Sequence, residues 1–180
     1  MTTENKTSVR GIPFSEVIED VASYLTSKKL SPEEAETETR DKYGKYKYVE
    51  QSMQQQKARM EEKLPEFKNS LALIDTLIEK NKKNEEFDTT FLLSDDIYTK
   101  ARVKNLEKVS IWLGANVMVE YEIDKAKDLL LKNQASVQKV VDELISELAF
   151  IKDQITTTEV NLANIINHRV LLNKTAAASK

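Results

Sequence analysis

The stretch from Phe87 to Tyr121 reads FDTTFLLSDDIYTKARVKNLEKVSIWLGANVMVEY, and its apolar residues recur with a period of two. Phe91 and Leu93 alternate first, then Ile97, Thr99, Ala101 and Val103, then Val109, Ile111 and Leu113, then Val117, Val119 and Tyr121. A strand turns successive side chains to opposite faces, so this spacing predicts four short strands. Breaks fall at Ser94-Asp95-Asp96, Lys104-Asn105-Leu106-Glu107 and Gly114-Ala115-Asn116, all of turn chemistry, and the outer two suit tight turns. Two consecutive β-hairpins follow. A hairpin alone is marginal in water, and two paired helices offer no broad face for four strands, so these strands require strands of another chain. The oligomerisation residues expected from the alternation are Phe91, Leu93, Ile97, Val103, Val109, Ile111, Leu113, Val117 and Val119.

On both sides of this segment the period changes to that of a coiled coil. Before it, Thr39, Tyr43, Tyr46, Glu50, Met53, Lys57, Met60, Leu64, Phe67, Leu71, Ile74 and Ile78 alternate by four and three, a heptad seam with Glu, Lys and Gln around it. Ser31-Pro32-Glu33-Glu34 supplies the start, with a Ser cap, proline at the first helical position and Glu three residues after the cap. Pro65 removes one backbone hydrogen bond but leaves the phase intact, which predicts one bent helix. After the strands, Ile123, Leu130, Val137, Val141, Leu144, Leu148, Ile151, Ile155, Thr158, Leu162, Ile165 and Leu172 form a second seam. Each helix would be about 75 Å long, and two such helices around a join of other character predict an antiparallel hairpin.

The resulting fold class is mainly α: a long two-helix coiled coil with two β-hairpins between the helices. Its segments are an arm with a short helix (1–30), the first coiled-coil helix (31–83), the hairpins (84–122), the second helix (123–172) and a disordered tail (173–180). In the arm, Phe14, Val17, Ile18, Val21 and Leu25 recur at three- and four-residue spacing after Pro13, as in a short helix or an anchoring strap.

Composition agrees with few turns and long helices. There are 3 Gly, 3 Pro and no Cys, 32% charged residues against 40% hydrophobic, and a mean hydropathy of -0.51. No cysteine means no disulfide, thiolate nucleophile or Cys-ligated zinc. No apolar run approaches a membrane span, and MTTENKTSVRG has no apolar core for a secretory signal, so a cytoplasmic protein without a membrane partner is expected. Net charge is -3 with scattered basic residues, which argues against nucleic acid. Gly11, Gly44 and Gly114 are too far apart for a phosphate loop, so no nucleotide cofactor is expected. His168, the one histidine, reads as a solvated helix residue, and Asp95-Asp96 as a turn former rather than a metal or catalytic dyad. No enzymatic site emerges.

In an antiparallel pair the start of the first helix meets the end of the second. That tip holds Tyr43, Tyr46, Leu162, Ile165, Ile166, Val170, Leu171 and Leu172, more apolar residues than one seam can bury. Two readings stand: ordinary packing with frayed ends, or an exposed patch for an interaction partner. Glu50 and Lys57, polar seam positions nearby, would let the ends splay or would fix register.

The local sequence also resembles the α-class subunits of eukaryotic prefoldin. The resemblance is carried by Phe91-Leu92-Leu93-Ser94-Asp95-Asp96-Ile97-Tyr98, by Trp112-Leu113-Gly114-Ala115-Asn116-Val117-Met118-Val119-Glu120-Tyr121 and by Thr156-Thr157-Thr158-Glu159-Val160-Asn161, with Gly11-Ile12-Pro13 and Tyr43 to Tyr46 similar too. It implies a heterohexamer of two α-class and four β-class subunits, hairpins joined in a β-barrel platform, and no cofactor. It further implies an ATP-independent holdase for unfolded actin and tubulin that delivers them to the cytosolic group II chaperonin. The contrasting possibility is a structural coiled-coil adaptor in a prefoldin-like assembly that binds folded partners.

Overall fold

The computed structural model of the chain describes residues 8, 10–83, 85–104 and 107–178. Helix starts follow local chemistry. The Asp20 carboxylate accepts from the amides of Ala22 and Ser23 and from the Ser23 hydroxyl, capping α1 (Val21–Lys28). Lys29 then turns left-handed at φ 55, and the Leu30 amide returns to the Leu25 carbonyl at 3.1 Å. The expected capping box forms: Ser31 Oγ accepts the Glu34 amide at 3.2 Å, Glu34 Oε2 accepts the Ser31 amide at 2.9 Å, and Pro32 opens α2 (Pro32–Glu61). Next come α3 (Lys63–Lys83), β1 (Phe87–Ser94), β2 (Ile97–Val103), β3 (Lys108–Gly114), β4 (Val117–Glu122) and the 56-residue α4 (Ile123–Ala178).

Two helix limits differ from expectation. The single bent helix through Pro65 is two helices, broken at Glu62. Pro65 has no N–H for the Glu61 carbonyl and its ring crowds that carbonyl; the helix restarts at Lys63, where proline falls in a first turn whose amides need no intrahelical acceptor. At the other end, the disordered tail expected from residue 173 is helical as far as Ala178. Asn-Lys-Thr-Ala-Ala-Ala offers no seam, but alanine carries the highest intrinsic helix propensity and α4 needs no new nucleus to continue. Residues 179 and 180 lie outside the described residues, as do Asn105 and Leu106 of the middle turn.

The chain divides into two compact units. In the unit from Met60 to Val140, β1 pairs antiparallel with β2 and β3 with β4, as two separate two-stranded sheets. The tight turns are Asp95-Asp96 and Ala115-Asn116, between the facing pairs Ser94–Ile97 and Gly114–Val117. Ala115 and Asn116 both have positive φ (48° and 60°), the type I′ arrangement whose twist matches that of the strands. Gly114, at φ 93, occupies the register shift after Trp112, a backbone state that side chains with a Cβ rarely adopt.

The core of this unit is Ile74 and Leu77 of α3 with Ile123, Ala126 and Leu130 of α4, and an Asp75–Lys127 ion pair at 2.7 Å crosses between the same helices. Val103, Val109 and Ile111 pack against that core beside Phe87 and Tyr121. This corrects the expectation that the helices leave all four strands uncovered. Glu122 leads directly into Ile123, so the hairpin roots are tethered beside the helices and their inward side chains reach the helix core.

The other unit joins residues up to Arg59 with those from Val141. Here α2 and α4 run antiparallel: Glu36 pairs with Arg169 at 3.2 Å, and seven residues later Tyr43 donates to Glu159 at 3.0 Å. Every position of the first seam from Thr39 to Ile78 is buried or half-buried, and so is every position of the second except Leu172. Glu50, half-buried, pairs with Lys47 at 3.4 Å, and Met53 beside it is buried, so the seam continues through the polar positions. The arm contributes a small core of its own, Ile18, Val21 and Leu25 against Ala35 and Ile165. Its helix begins only at Val21, which leaves Phe14 and Val17 exposed rather than on an apolar helix face.

Candidate functional site

Two surfaces carry the residues singled out by the sequence. The first is the pair of hairpin ends. Of the expected oligomerisation residues, Phe91, Leu93, Ile97, Leu113 and Val117 are exposed, whereas Val103, Val109 and Ile111 are half-buried on the chain's own core and Val119 is half-buried. The structure adds four that alternation missed: Leu92, Tyr98, Trp112 and Met118, each 58% exposed or more. Leu92 faces Tyr98 across the first hairpin and Trp112 faces Met118 across the second, on the faces opposite the expected ones. The hairpin ends are therefore apolar on both faces. The signal was present as unbroken runs, Phe91-Leu92-Leu93, Ile111-Trp112-Leu113 and Val117-Met118-Val119, the pattern of strands covered on both sides.

The second surface is the junction of α2, α4 and the arm. Of the eight residues expected at an apolar tip, Ile165 is fully buried and Tyr46 is buried; Tyr43, Leu162 and Ile166 are half-buried; Val170, Leu171 and Leu172 are exposed. The packing reading thus holds for the first two and an exposed patch remains for the last three. Ile165 is buried because α1 lies on it, and Tyr46 donates its hydroxyl to the Pro13 carbonyl at 3.0 Å. Phe14 packs edge-on against Phe150, centroids 4.8 Å apart. His168, read as a solvated residue, is half-buried at this junction. The Asp20 carboxyl is held below its ordinary value chiefly by the Ser23 hydroxyl, then by the Ser23 and Ala22 amides, with a smaller pull from His168. Glu36 gathers both Arg40 at 2.9 Å and Arg169.

Three buried polar side chains of α4 were not anticipated as a set: Gln154, Thr158 and Asn161. Gln154 Oε1 accepts the Ser15 amide at 2.7 Å; Asn161 Oδ1 accepts the Ile18 amide at 2.9 Å and its Nδ2 donates to the Glu16 carbonyl at 2.6 Å. Ser15 Oγ lies 2.8 Å from Thr158 Oγ1, which itself donates to the Gln154 carbonyl, so Ser15 is the donor. These residues hold the arm by its main chain. Among the described residues no group of His, Asp or Glu is placed to hold a metal ion, and no helix is long and apolar enough to cross a membrane.

The hairpin-bearing helix pair can be set beside known proteins. The prefoldin subunit family matches residues 46–168, both hairpins included. The chain belongs to the prefoldin family. A probable prefoldin subunit 3 of Caenorhabditis elegans is 66% identical over 98% of this chain and 94% of its own length. Prefoldin subunit 3 of Homo sapiens is 41% identical over 87% of this chain and 80% of its own, and that of Drosophila melanogaster is 33% identical over 98% and 89%. A chain from the cryo-EM structure of filamentous PFD from Methanocaldococcus jannaschii is 15% identical, with a TM-score of 0.40 over 73% of this chain and 98% of that one. Prefoldin membership rests on the sequence relationships, and the helix, two hairpins and helix of this chain have the layout expected of a prefoldin α-class subunit.

Proposed function

We propose that the chain is one subunit of a cytoplasmic prefoldin heterohexamer of two α-class and four β-class subunits. The complex is an ATP-independent holdase. It keeps unfolded actin, tubulin and other nascent chains from aggregating and passes them to the cytosolic group II chaperonin. The observation that carries this reading is the apolar character of both faces of both hairpin ends, in a chain of this family. Such ends are stable in water only when strands of other subunits cover them. Client contact falls to the exposed Val170, Leu171 and Leu172 near the end of α4, where a small apolar patch repeated across subunits holds a flexible chain by many weak contacts.

The test is reconstitution with the other prefoldin subunits. Native mass spectrometry should give a hexamer, and that hexamer should suppress aggregation of denatured actin without ATP. Changing Val170, Leu171 and Leu172 to Ser should weaken the suppression partly, with hexamer mass unchanged. A hexamer that leaves actin aggregation untouched would refute the holdase reading.

A further inference from the structure

The stretch from Ser15 to Ile18, which follows Gly11-Ile12-Pro13, pairs with Gln154 and Asn161 of α4 across 139 and 143 residues of sequence, and the two meet in one site. Four of its five arm hydrogen bonds go to main-chain groups: the amides of Ser15 and Ile18 and the carbonyls of Pro13 and Glu16. The fifth uses the Ser15 hydroxyl. Of the side chains between them, Val17 is 65% exposed, and Phe14, 49% exposed, meets the edge of Phe150.

The spacing suits an extended chain of any sequence. Gln154 and Asn161 are seven helical residues apart, about 10.5 Å along α4. Ser15 and Ile18 are three residues apart, about 10 Å when extended, so one amide falls opposite each carboxamide. The Gln154 amide also donates to the Phe150 carbonyl at 3.4 Å, which leaves its oxygen turned toward the arm. Nor does the arm fill the groove: a cavity of about 450 Å³ lies beside it, lined by Tyr24, Thr39, Lys42, Tyr46 and Val49, room for side chains larger than its own.

We propose that the Gln154–Thr158–Asn161 edge of α4, with Tyr46 of α2, is a binding site for extended polypeptide main chain that the chain's own Pro13–Ile18 segment occupies, and that segments of unfolded protein take that segment's place. The ligand class is an unfolded stretch with non-proline residues at the two amide positions. Displacing Pro13–Ile18 also withdraws Ile18 from the core it shares with Ile165, which leaves an apolar contact open beside the hydrogen bonds. This rests on the holdase reading above.

The chain has no cysteine, so Ser15→Cys with Thr158→Cys places one new pair in this subunit of the assembled complex. Oxidised, this complex should protect denatured actin at least twofold less well than the same sample after reduction; equal protection by the two samples overturns the proposal. Failure of the holdase reading looks different, because the parent complex itself then gives no protection. If the disulfide does not close, a second measurement decides. A complex lacking residues 1–19 of this subunit should bind a labelled peptide of residues 10–20, and denatured actin should displace it. N-methylation of the peptide at Ser15 and Ile18 should weaken binding at least tenfold, while Phe14→Ala with Val17→Ala changes it less than threefold. A peptide that does not bind, that actin cannot displace, or that depends on Phe14 and Val17 instead overturns the proposal.

Discussion

The arm-bearing unit and the hairpin-bearing unit deal with apolar surface in opposite ways. In the first, the chain supplies its own cover: Ile18, Val21 and Leu25 fold over Ile165, and the arm's main-chain groups find partners on α4. In the second, only the strand roots are covered, and Leu92, Leu93, Trp112 and Leu113 stay in water at the hairpin ends. A surface that a chain covers for itself can be uncovered reversibly. One that it never covers must be satisfied by assembly, so on the proposal above the first unit serves exchange and the second permanence.

The sharpest way to break that contrast is a charge at a hairpin end. Val117→Asp leaves the monomer's own core untouched and should weaken assembly with the other subunits by at least about 100-fold, since burying an unpaired carboxylate costs several kcal/mol. Native mass spectrometry should show the loss while circular dichroism shows unchanged helix content. Ile111→Asp differs, because Ile111 packs on the helix core: the monomer itself should lose stability along with assembly.

In the self-covered unit, Ile165→Ala removes a fully buried side chain between α1 and Ala35 and should cost about 2–5 kcal/mol, read from denaturant unfolding. Asn161→Ala should cost less, about 1–3 kcal/mol, by orphaning the Ile18 amide and Glu16 carbonyl. Hydrogen exchange at the Ile18 amide should rise without change in the hairpins.

The smallest effect is on acidification. Asp20 and Glu34 are both lowered, Asp20 by the Ser23 hydroxyl and Glu34 by the Ser31 amide, so each stabilises its cap fully above its ordinary value, 3.8 and 4.5 respectively. That contribution disappears as pH falls through the depressed folded values. Proteolysis within the arm should therefore increase only below about pH 4. Asp20→Asn keeps the cap oxygen and should flatten the Asp20 part of this step.

The heptads and turns were readable because each residue in them answers a local rule: a seam position is apolar whichever helix it meets, and Gly114-Ala115-Asn116 turns by itself. The break at Glu62 was hidden because the seam keeps its phase across Pro65. The hairpin ends were half-read, since alternation counts one face and Trp112 and Met118 stand on the other. Gln154 and Asn161 were missed as site residues because a buried carboxamide declares itself only through its partner, and these partners are main-chain groups, which every sequence carries.

The arm's contacts also set an order of events during synthesis. The hairpin pairings span at most 16 residues, Phe87 to Val103, and such local structure closes within microseconds. The Ser15 contact must wait for Gln154, 139 residues later, and a ribosome adds about 5–20 residues each second. For several seconds each new copy carries an open heptad seam and a loose arm. While it is being made, this protein presents the same unpaired, extended chain that we propose it holds.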